Sequence, residues 1–166
     1  MIGVSLRPAL DTDWKTIRTW LAKPAIQRWW GPMASTEAEV IVALGSDHAI
    51  ARIVQVDGID VGYCHAVDAS LWGDDLPDDL VPGTWDLDIF IAEPDFRGKG
   101  IGTAALSLLR DEVFSTTFAI AVSVFPSIEN EAAVRAYEKV GFKWQRIWHD
   151  PALGPSWFMT CERPLN

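Results

Sequence analysis

Cysteine and histidine are scarce in this chain, and their scarcity limits the chemistry it can carry. There are two cysteines and three histidines among 166 residues. Cys64 and Cys161 lack the spacing of metal ligands, so we expect both to be plain packing residues. His48, His65 and His149 do not cluster in the sequence. The sequence therefore predicts no metal site and gives little support for a histidine general base.

Positive charge and long apolar runs are lacking as well. Lys and Arg number 14 against 23 Asp and Glu, which gives a formal net charge of -9. Nucleic acid requires a positive surface, so it is excluded as a partner, and a small cationic molecule fits better, although acidity can also serve solubility alone. No apolar run approaches the roughly 20 residues of a bilayer span, and the first ten residues lack the features of a secretory signal. We expect a cytoplasmic protein without membrane contact.

Apolar and aromatic residues are abundant. Hydrophobic residues make up 49% of the chain, and nine of them are tryptophans. Such a chain can bury enough apolar surface to offset the entropy of ordering, so disorder is excluded. Its length suits one domain with a substantial core, and no repeat or linker interrupts it. We expect a single domain over residues 1–166.

Hydrophobic periodicity predicts an α+β fold with a central mixed sheet. We expect Asp11 or Thr12 to cap the first helix and Ser35 to cap the third. Residues 57–60 should form a hairpin turn between two antiparallel strands. Residues 68–84 contain two prolines, two glycines and five aspartates, and so predict a long loop of the kind that often carries function. The predicted strands are SLRPA, HAIARIVQV, VGYCHAV, WDLDIFIA, AIAVSVF, KWQRIWH and SWFMTCE, and the predicted helices are DTDWKTIRTWLAK, residues 24–30, STEAEVIVAL, TAALSLLRDEVF and NEAAVRAYEKVGF.

The most informative segment is RGKGIGT, residues 97–103, which lies between a predicted strand and a predicted helix. Glycines at the first turn of a helix leave backbone N–H groups open at the positive end of the helix dipole. Arg97 and Lys99 would add positive charge to an otherwise acidic protein. The segment therefore predicts a pyrophosphate cradle. It has neither the GxxxxGK[ST] nor the GxGxxG spacing of nucleotide-binding loops, and a tight connection alone would also need glycines.

Two motifs together indicate a family. RGKGIGT resembles the Arg/Gln-x-x-Gly-x-Gly/Ala motif of the GNAT acyltransferase superfamily, and NEAAVRAYEKVGF resembles its second motif, Asn-x-x-Ala…Tyr-x-Lys-x-Gly-Phe. The resemblance implies the GNAT fold, with a mixed, mostly antiparallel sheet flanked by helices, and acetyl-CoA as the co-substrate. It also implies that Tyr137 lies near the thioester sulfur as a general acid, although a core aromatic is the alternative. The residues that it assigns to the cofactor are Phe90, Ile91, Arg97, Gly98, Lys99, Gly100, Ile101, Gly102, Thr103, Asn130, Ala133 and Tyr137.

The resemblance extends over most of the chain to the aminoglycoside 6'-N-acetyltransferases, which acetylate a cationic sugar. It implies an acidic acceptor cleft and a carboxylate that accepts or relays the proton of the substrate ammonium. Asp88 matches the acidic residue of the family before the cofactor turn, and two-residue periodicity places Asp86 on the same face. A solvated strand-face charge is the alternative for each. The full set of candidate acceptor-binding residues is Trp30, Asp68, Trp72, Asp74, Asp86, Asp88 and Phe125.

Phe125 departs from the family pattern. It stands five positions before Asn130, where related enzymes carry an acidic residue, so the acceptor geometry differs or residues 68–79 compensate. Two other functions therefore stay open: acylation of a siderophore precursor or another polyamine, and a non-catalytic module that binds acetyl-CoA or a drug. The motifs are compatible with a monomer or a homodimer.

Overall fold

The protein forms one mixed sheet with helices on both faces. The computed structural model describes residues 2–165, so Met1 and Asn166, the ends of the predicted domain, lie outside the described residues. Among residues 2–165, the strands are β1 Val4–Pro8, β2 Ala49–Val56, β3 Ile59–Asp68, β4 Thr84–Ile91, β5 Ala121–Val124, β6 Lys143–Asp150 and β7 Gly154–Glu162. The α-helices are α1 Trp14–Leu21, α2 Pro24–Trp30, α3 Met33–Gly45, α4 Ile101–Thr116 and α5 Glu131–Val140.

The seven strands found within residues 2–165 lie in the order β1-β2-β3-β4-β5-β7-β6. Neighbours pair antiparallel except β4 and β5, which are parallel and are connected through α4. The parallel pair needs a crossover because two strands that run the same way cannot be joined by a tight turn. The prediction of an α+β fold with a mixed, mostly antiparallel sheet is confirmed.

Helical spacing of apolar residues decides which face of the sheet each helix covers. Ile17, Trp20 and Leu21 are buried at i, i+3 and i+4 on α1, and they pack with α2 and α3 over one face. Residues of α4 such as Leu109 and Val113 pack over the other face together with α5. β3 lies between the two cores and is buried along most of its length, as expected of a strand covered on both sides.

Two predicted helix caps were wrong. Asp11 and Thr12 belong to a 3-10 turn before α1, where the Asp13 carboxylate accepts the Leu10 amide at 2.8 Å, so neither caps the helix. Ser35 lies inside α3, whose N-cap is Pro32. The cause in both cases is that the helical turn begins a few residues away from the polar residue that the pattern favours.

Two loops are shorter than predicted. The hairpin turn between β2 and β3 is Asp57 and Gly58 alone, because Ile59 already pairs with Val56. The long segment after β3 contains a 3-10 element, Ala69–Asp75, in place of an irregular loop. Its first turn is held by the Asp68 carboxylate, which accepts the Ser70 amide at 3.0 Å. No helix formed by residues 2–165 combines the length and apolar character that a membrane span requires.

Candidate active site

A single cleft of about 940 Å³ opens beside the middle of the sheet. The glycine-rich turn at residues 98–103 lines one end of it, and carboxylates line the other. Its walls come from α2, α3, β4, α4, α5 and the turn between β6 and β7. One volume therefore connects the predicted cofactor site to the predicted acceptor site.

Gly98 and Gly100 shape the cofactor end. Their φ angles are +71° and +77°, in the left-handed region that glycine adopts without strain. Gly100 is the N-cap of α4, and no side chain among the described residues caps that helix. The first amides of α4 therefore lack partners inside the helix, and they line the cleft where the helix dipole is positive. This geometry fits the pyrophosphate of acetyl-CoA.

The two cations of the turn have different positions. Arg97 lines the cleft, and its guanidinium donates to the carbonyl oxygens of Ile91 at 2.8 Å and Ala92 at 3.1 Å. It therefore ties the turn to the end of β4. Lys99 lies outside the cleft lining, with its Nζ 6.0 Å from the centre of the Phe96 ring. Arg97 therefore has a structural role in the turn, whereas Lys99 lies outside the lining of the cleft.

β4 and β5 separate beside the cleft. Their parallel pairing runs from Thr84 opposite Ala121 to Asp86 opposite Ser123, after which β4 continues to Ile91 without a partner on that side. Paired strands cannot separate in this way unless other groups satisfy their backbone. The gap exposes one edge of β4 to the cleft.

Side chains satisfy both backbone groups of Ile89 on β4 beside the cleft. The Ile89 amide donates to the Asp88 carboxylate at 3.0 Å, and the Ile89 carbonyl accepts the Trp30 indole N–H at 3.3 Å. Phe90 and Ile91, which the family resemblance assigns to the cofactor, also line the cleft. Trp30, predicted as an acceptor wall, lines the cleft and packs in the core, and only 8% of its surface is exposed.

The second motif forms the start and the inner face of α5. Asn130 is the N-cap, and its side-chain oxygen accepts the Ala133 amide at 3.3 Å. Both residues line the cleft. Tyr137 is buried on the same wall, and burial raises the pKa of its phenol, with a further rise from the charges of Asp88 and Asp86. The phenol therefore stays protonated at neutral pH, as a general acid must.

Asp86 and Asp88 both face the cleft from β4, as strand periodicity predicts. Burial raises the pKa of Asp86 to about 8, although Ser123 donates a hydrogen bond to its carboxylate at 3.0 Å. Burial also raises the pKa of Asp88 well above its ordinary value, and the charges of Glu39 and Asp86 raise it further. A bound cation would reverse these shifts, because it favours the ionised carboxylate.

Sequence reasoning missed two carboxylates of the cleft. Glu39 comes from α3 and Asp150 from the end of β6, and both line the cleft beside the pair on β4. Partial burial raises the pKa of Glu39 to about 7, and the charges of Asp150 and Asp75 add to the rise. Nothing in their local sequence marks them, since only the tertiary fold brings these elements together.

A family model decides the identity of the fold. The model for the acetyltransferase (GNAT) domain matches residues 9–149. The chain belongs to the GNAT acetyltransferase family. The expectation of the GNAT family and fold drawn from the two motifs is therefore confirmed.

Relatives of this GNAT chain include aminoglycoside acetyltransferases. It is 27% identical to the aminoglycoside N(6')-acetyltransferase type 1 of Klebsiella pneumoniae over 169 residues, which cover 97% of the chain and 84% of the relative. It matches the structure of aminoglycoside acetyltransferase AAC(6')-Ib in complex with coenzyme A and kanamycin with a TM-score of 0.83 and 27% identity, over 97% and 95% of the two chains. The complex with acetyl-CoA and paromomycin has the same TM-score and identity, over 97% and 94% of the two chains.

The long segment after β3 contributes less to this GNAT cleft than we expected. Trp72 and Asp75 line the cleft, whereas Asp68 caps the 3-10 element and Asp74 lies outside the lining. Asp79 lies outside it as well, and it pairs with Arg146 at 2.7 Å. The segment of residues 68–79 thus supplies one carboxylate to the cleft, that of Asp75, and its replacement of the acidic residue missing at Phe125 stays a prediction.

Phe125 lines the cleft directly after β5. Its ring lies 5.3 Å from that of Trp148 and 5.1 Å from that of Phe158, so the wall at this point is aromatic. Asp150 on the same β6 strand as Trp148 supplies a carboxylate nearby in the cleft lining. Within residues 2–165, no group of three or more His, Cys, Asp or Glu side chains is arranged to hold a metal ion.

Proposed function

We propose that this protein transfers acetyl from acetyl-CoA to an amine of an aminoglycoside, the 6'-amino group being the leading choice. The observation that carries the proposal is one continuous cleft that is lined both by the N-terminal amides of a helix and by five carboxylates. The relatives named above are 6'-N-acetyltransferases or bind kanamycin together with coenzyme A. That similarity supports the same acceptor class here.

Charge complementarity supports a polycationic acceptor. Five carboxylates from four elements of an acidic chain converge on one partly buried cleft: Glu39, Asp75, Asp86, Asp88 and Asp150. Burial raises the pKa values of Glu39, Asp86 and Asp88, and the charges of neighbouring carboxylates raise them further. A cation with several ammonium groups relieves this repulsion, whereas a neutral or anionic acceptor would not.

The side chains of the cleft suit direct attack by the amine. Acetyl-CoA supplies an activated acetyl group when bound. Asp88 on β4, ionised once a cationic acceptor enters, accepts the ammonium proton and so produces the free amine that attacks. Tyr137 on α5, protonated and buried, donates a proton to the departing thiolate. Holding both reactants in one cleft provides the proximity that a bimolecular transfer needs.

The aromatic wall formed by Phe125, Trp148 and Phe158 favours a second acceptor class. An apolar surface at this point would suit an amine or hydroxylamine on a less polar chain, such as a siderophore precursor or another polyamine.

We also propose a cytoplasmic location and a single domain, in a monomer or homodimer, as the sequence predicts.

The decisive experiment measures thiol release from acetyl-CoA with kanamycin, tobramycin or gentamicin as the acceptor. We expect turnover by the wild-type protein and a loss of about 100-fold in kcat/KM for Asp88→Asn, since general-base catalysis contributes roughly 100-fold or more. Asp78→Asn, which removes the same charge from an exposed position, is the matched control and should retain wild-type activity. Mass and NMR analysis of the product would identify the acetylated amine.

Each contrary outcome has a distinct meaning. Saturable acetyl-CoA binding without turnover on any amine would indicate a non-catalytic module. Turnover on polyamines or hydroxylamines with none on aminoglycosides would assign the second acceptor class. Equal activity of wild-type protein and Asp88→Asn would remove Asp88 from catalysis.

A further inference from the structure

A buried pair of polar side chains lies behind the acceptor end of the cleft and has no part in the mechanism above. The Tyr63 hydroxyl and the His65 Nδ1 atom are 2.8 Å apart. Tyr63 is 0% exposed and His65 is 2% exposed. Burying polar groups is unfavourable unless they are hydrogen-bonded, as these two are to each other. Apolar side chains would fill the same space without this requirement, so we ask what the polar pair does.

The pair contacts the side chains that shape β4 at the cleft. The Trp30 ring lies 5.5 Å from the His65 ring and 5.1 Å from the Phe90 ring, and Tyr63 lies 5.8 Å from Phe90. Trp30 in turn donates its indole N–H to the Ile89 carbonyl at 3.3 Å. These rings therefore support the exposed edge of β4 from behind.

Strand register places the pair directly beside the proposed base. His65 on β3 is opposite Asp88 on β4, and Tyr63 is opposite Phe90. Residues opposite each other in an antiparallel pair share a face of the sheet, with Cβ atoms roughly 5 Å apart. The imidazole is thus the cross-strand neighbour of the Asp88 carboxylate.

The hydrogen bond between the two side chains indicates a tautomer. A buried hydroxyl must place its proton on an acceptor, and the acceptor that the structure offers to Tyr63 is Nδ1 of His65. That bond assigns the imidazole proton to Nε2. Burial also lowers the pKa of His65 to about 3, so the ring is neutral at neutral pH.

We infer that His65, held by Tyr63 as a neutral Nε2–H tautomer, is a positioning residue that keeps the neighbourhood of Asp88 polar but uncharged. The inference rests on the proposed function, because it gives Asp88 the role of proton acceptor. A cationic histidine would compete with the substrate ammonium for the carboxylate. An apolar residue would desolvate the carboxylate further and favour its protonated form, which cannot accept a proton.

The test uses variants that separate structure from positioning. His65→Leu alone leaves the Tyr63 hydroxyl buried without a partner, so loss of stability is expected. The double variant Tyr63→Phe with His65→Leu removes both polar partners, a change that can be nearly neutral for stability. His65→Asn is the conservative variant, because its side-chain oxygen can take the place of Nδ1.

For the double variant, we expect a Tm close to that of the wild type and an unchanged KM for acetyl-CoA. We expect its kcat/KM for kanamycin at pH 7 to fall about tenfold, and the acid limb of its pH profile to move to higher pH. His65→Asn should recover most of the loss. The ionisable groups that face this region are Tyr63 on β3, Asp86 and Asp88 on β4, Glu39 on α3 and Asp150 on β6. Because Glu39 could also shift the acid limb, the pH profile of the double variant is compared with that of Glu39→Gln.

A double variant with the kcat/KM and pH profile of the wild type would overturn the inference. NMR of the wild-type protein labelled with ¹⁵N-histidine tests it without any acceptor, since the two ring nitrogens report the tautomer directly. A protonated Nδ1 or a cationic ring at pH 7 would also overturn it. Failure of the wild-type protein to acetylate any amine would instead refute the proposed function, so the two failures are distinguishable.

Discussion

The two ends of the cleft are built in different ways. The cofactor end is made of backbone, with two glycines at positive φ and the free amides of one helix, all within residues 98–103. The acceptor end is made of side chains, with carboxylates from α3, β4 and β6. A backbone site depends on local conformation, whereas a side-chain site depends on packing between distant elements.

This difference has an electrostatic consequence. At the cofactor end, the helix dipole is positive before any ligand arrives. At the acceptor end, burial and mutual repulsion raise the pKa values of Glu39, Asp86 and Asp88. The cofactor end is therefore positive before its ligand binds, whereas the carboxylates of the acceptor end become fully ionised only when a cation enters.

The largest expected effect concerns Tyr137, which lines the cleft that both ends share. Tyr137→Phe should lower kcat by about 100-fold, since it removes a general acid and keeps the ring. The KM for acetyl-CoA should change little. Steady-state kinetics with both substrates would measure this, and a loss confined to the KM values would assign Tyr137 a binding role.

The backbone end can be weakened by a change that adds a side chain at positive φ. Gly100→Val should raise the KM for acetyl-CoA about tenfold, because the left-handed conformation at +77° is strained for valine. Gly58→Val is the matched control, since Gly58 has a φ of +84° in the hairpin turn and also has open space around it. A comparable rise in the KM for acetyl-CoA in both variants would mean that the strain acts through the stability of the whole protein and not through the cofactor end of the cleft.

The side-chain end can be weakened by removing one charge. Glu39→Gln should raise the KM for kanamycin about fivefold at low salt and leave the KM for acetyl-CoA unchanged, because attraction to the cationic acceptor is lost. Glu37→Gln on the same helix is the control, since Glu37 pairs with Arg18 outside the cleft. The difference between the variants should shrink as salt is added, and a difference that is independent of salt would argue against a charge effect.

The smallest expected effect concerns the stability of the free protein. Asp86 has a pKa of about 8 in the folded state against an ordinary value of 3.8, so between these values the folded state binds more protons and stability falls as pH rises. Asp86→Asn removes this dependence and can still accept the Ser123 hydrogen bond. We expect its Tm advantage over wild type to grow steadily from pH 5 to pH 8 in thermal melts, by several degrees in all. A constant difference would show that Asp86 is ionised throughout.

Local sequence patterns predicted much of the fold. Helical spacing in α1 and α4, the hairpin between β2 and β3 and the alternation in β4 all follow from short-range rules, and each is present in the structure. Helix starts were less predictable, because Ser35 lies inside α3 and the residues before α1 form a 3-10 turn. The free-energy difference between starting a helix at the capping residue and adding one more turn is small, so tertiary packing decides where the helix begins.

The sequence by itself determined the cofactor end and the pair on β4. The turn of residues 97–103 and the two carboxylates at Asp86 and Asp88 follow from conformation and periodicity within one short stretch. Only the tertiary structure decided the rest of the acceptor end. It brought Glu39 and Asp150 to the cleft and left Asp68 and Asp74 outside it. The physical reason is that a backbone site is formed by neighbours in the chain, whereas a cluster of charges is formed by elements that meet only after the core has packed.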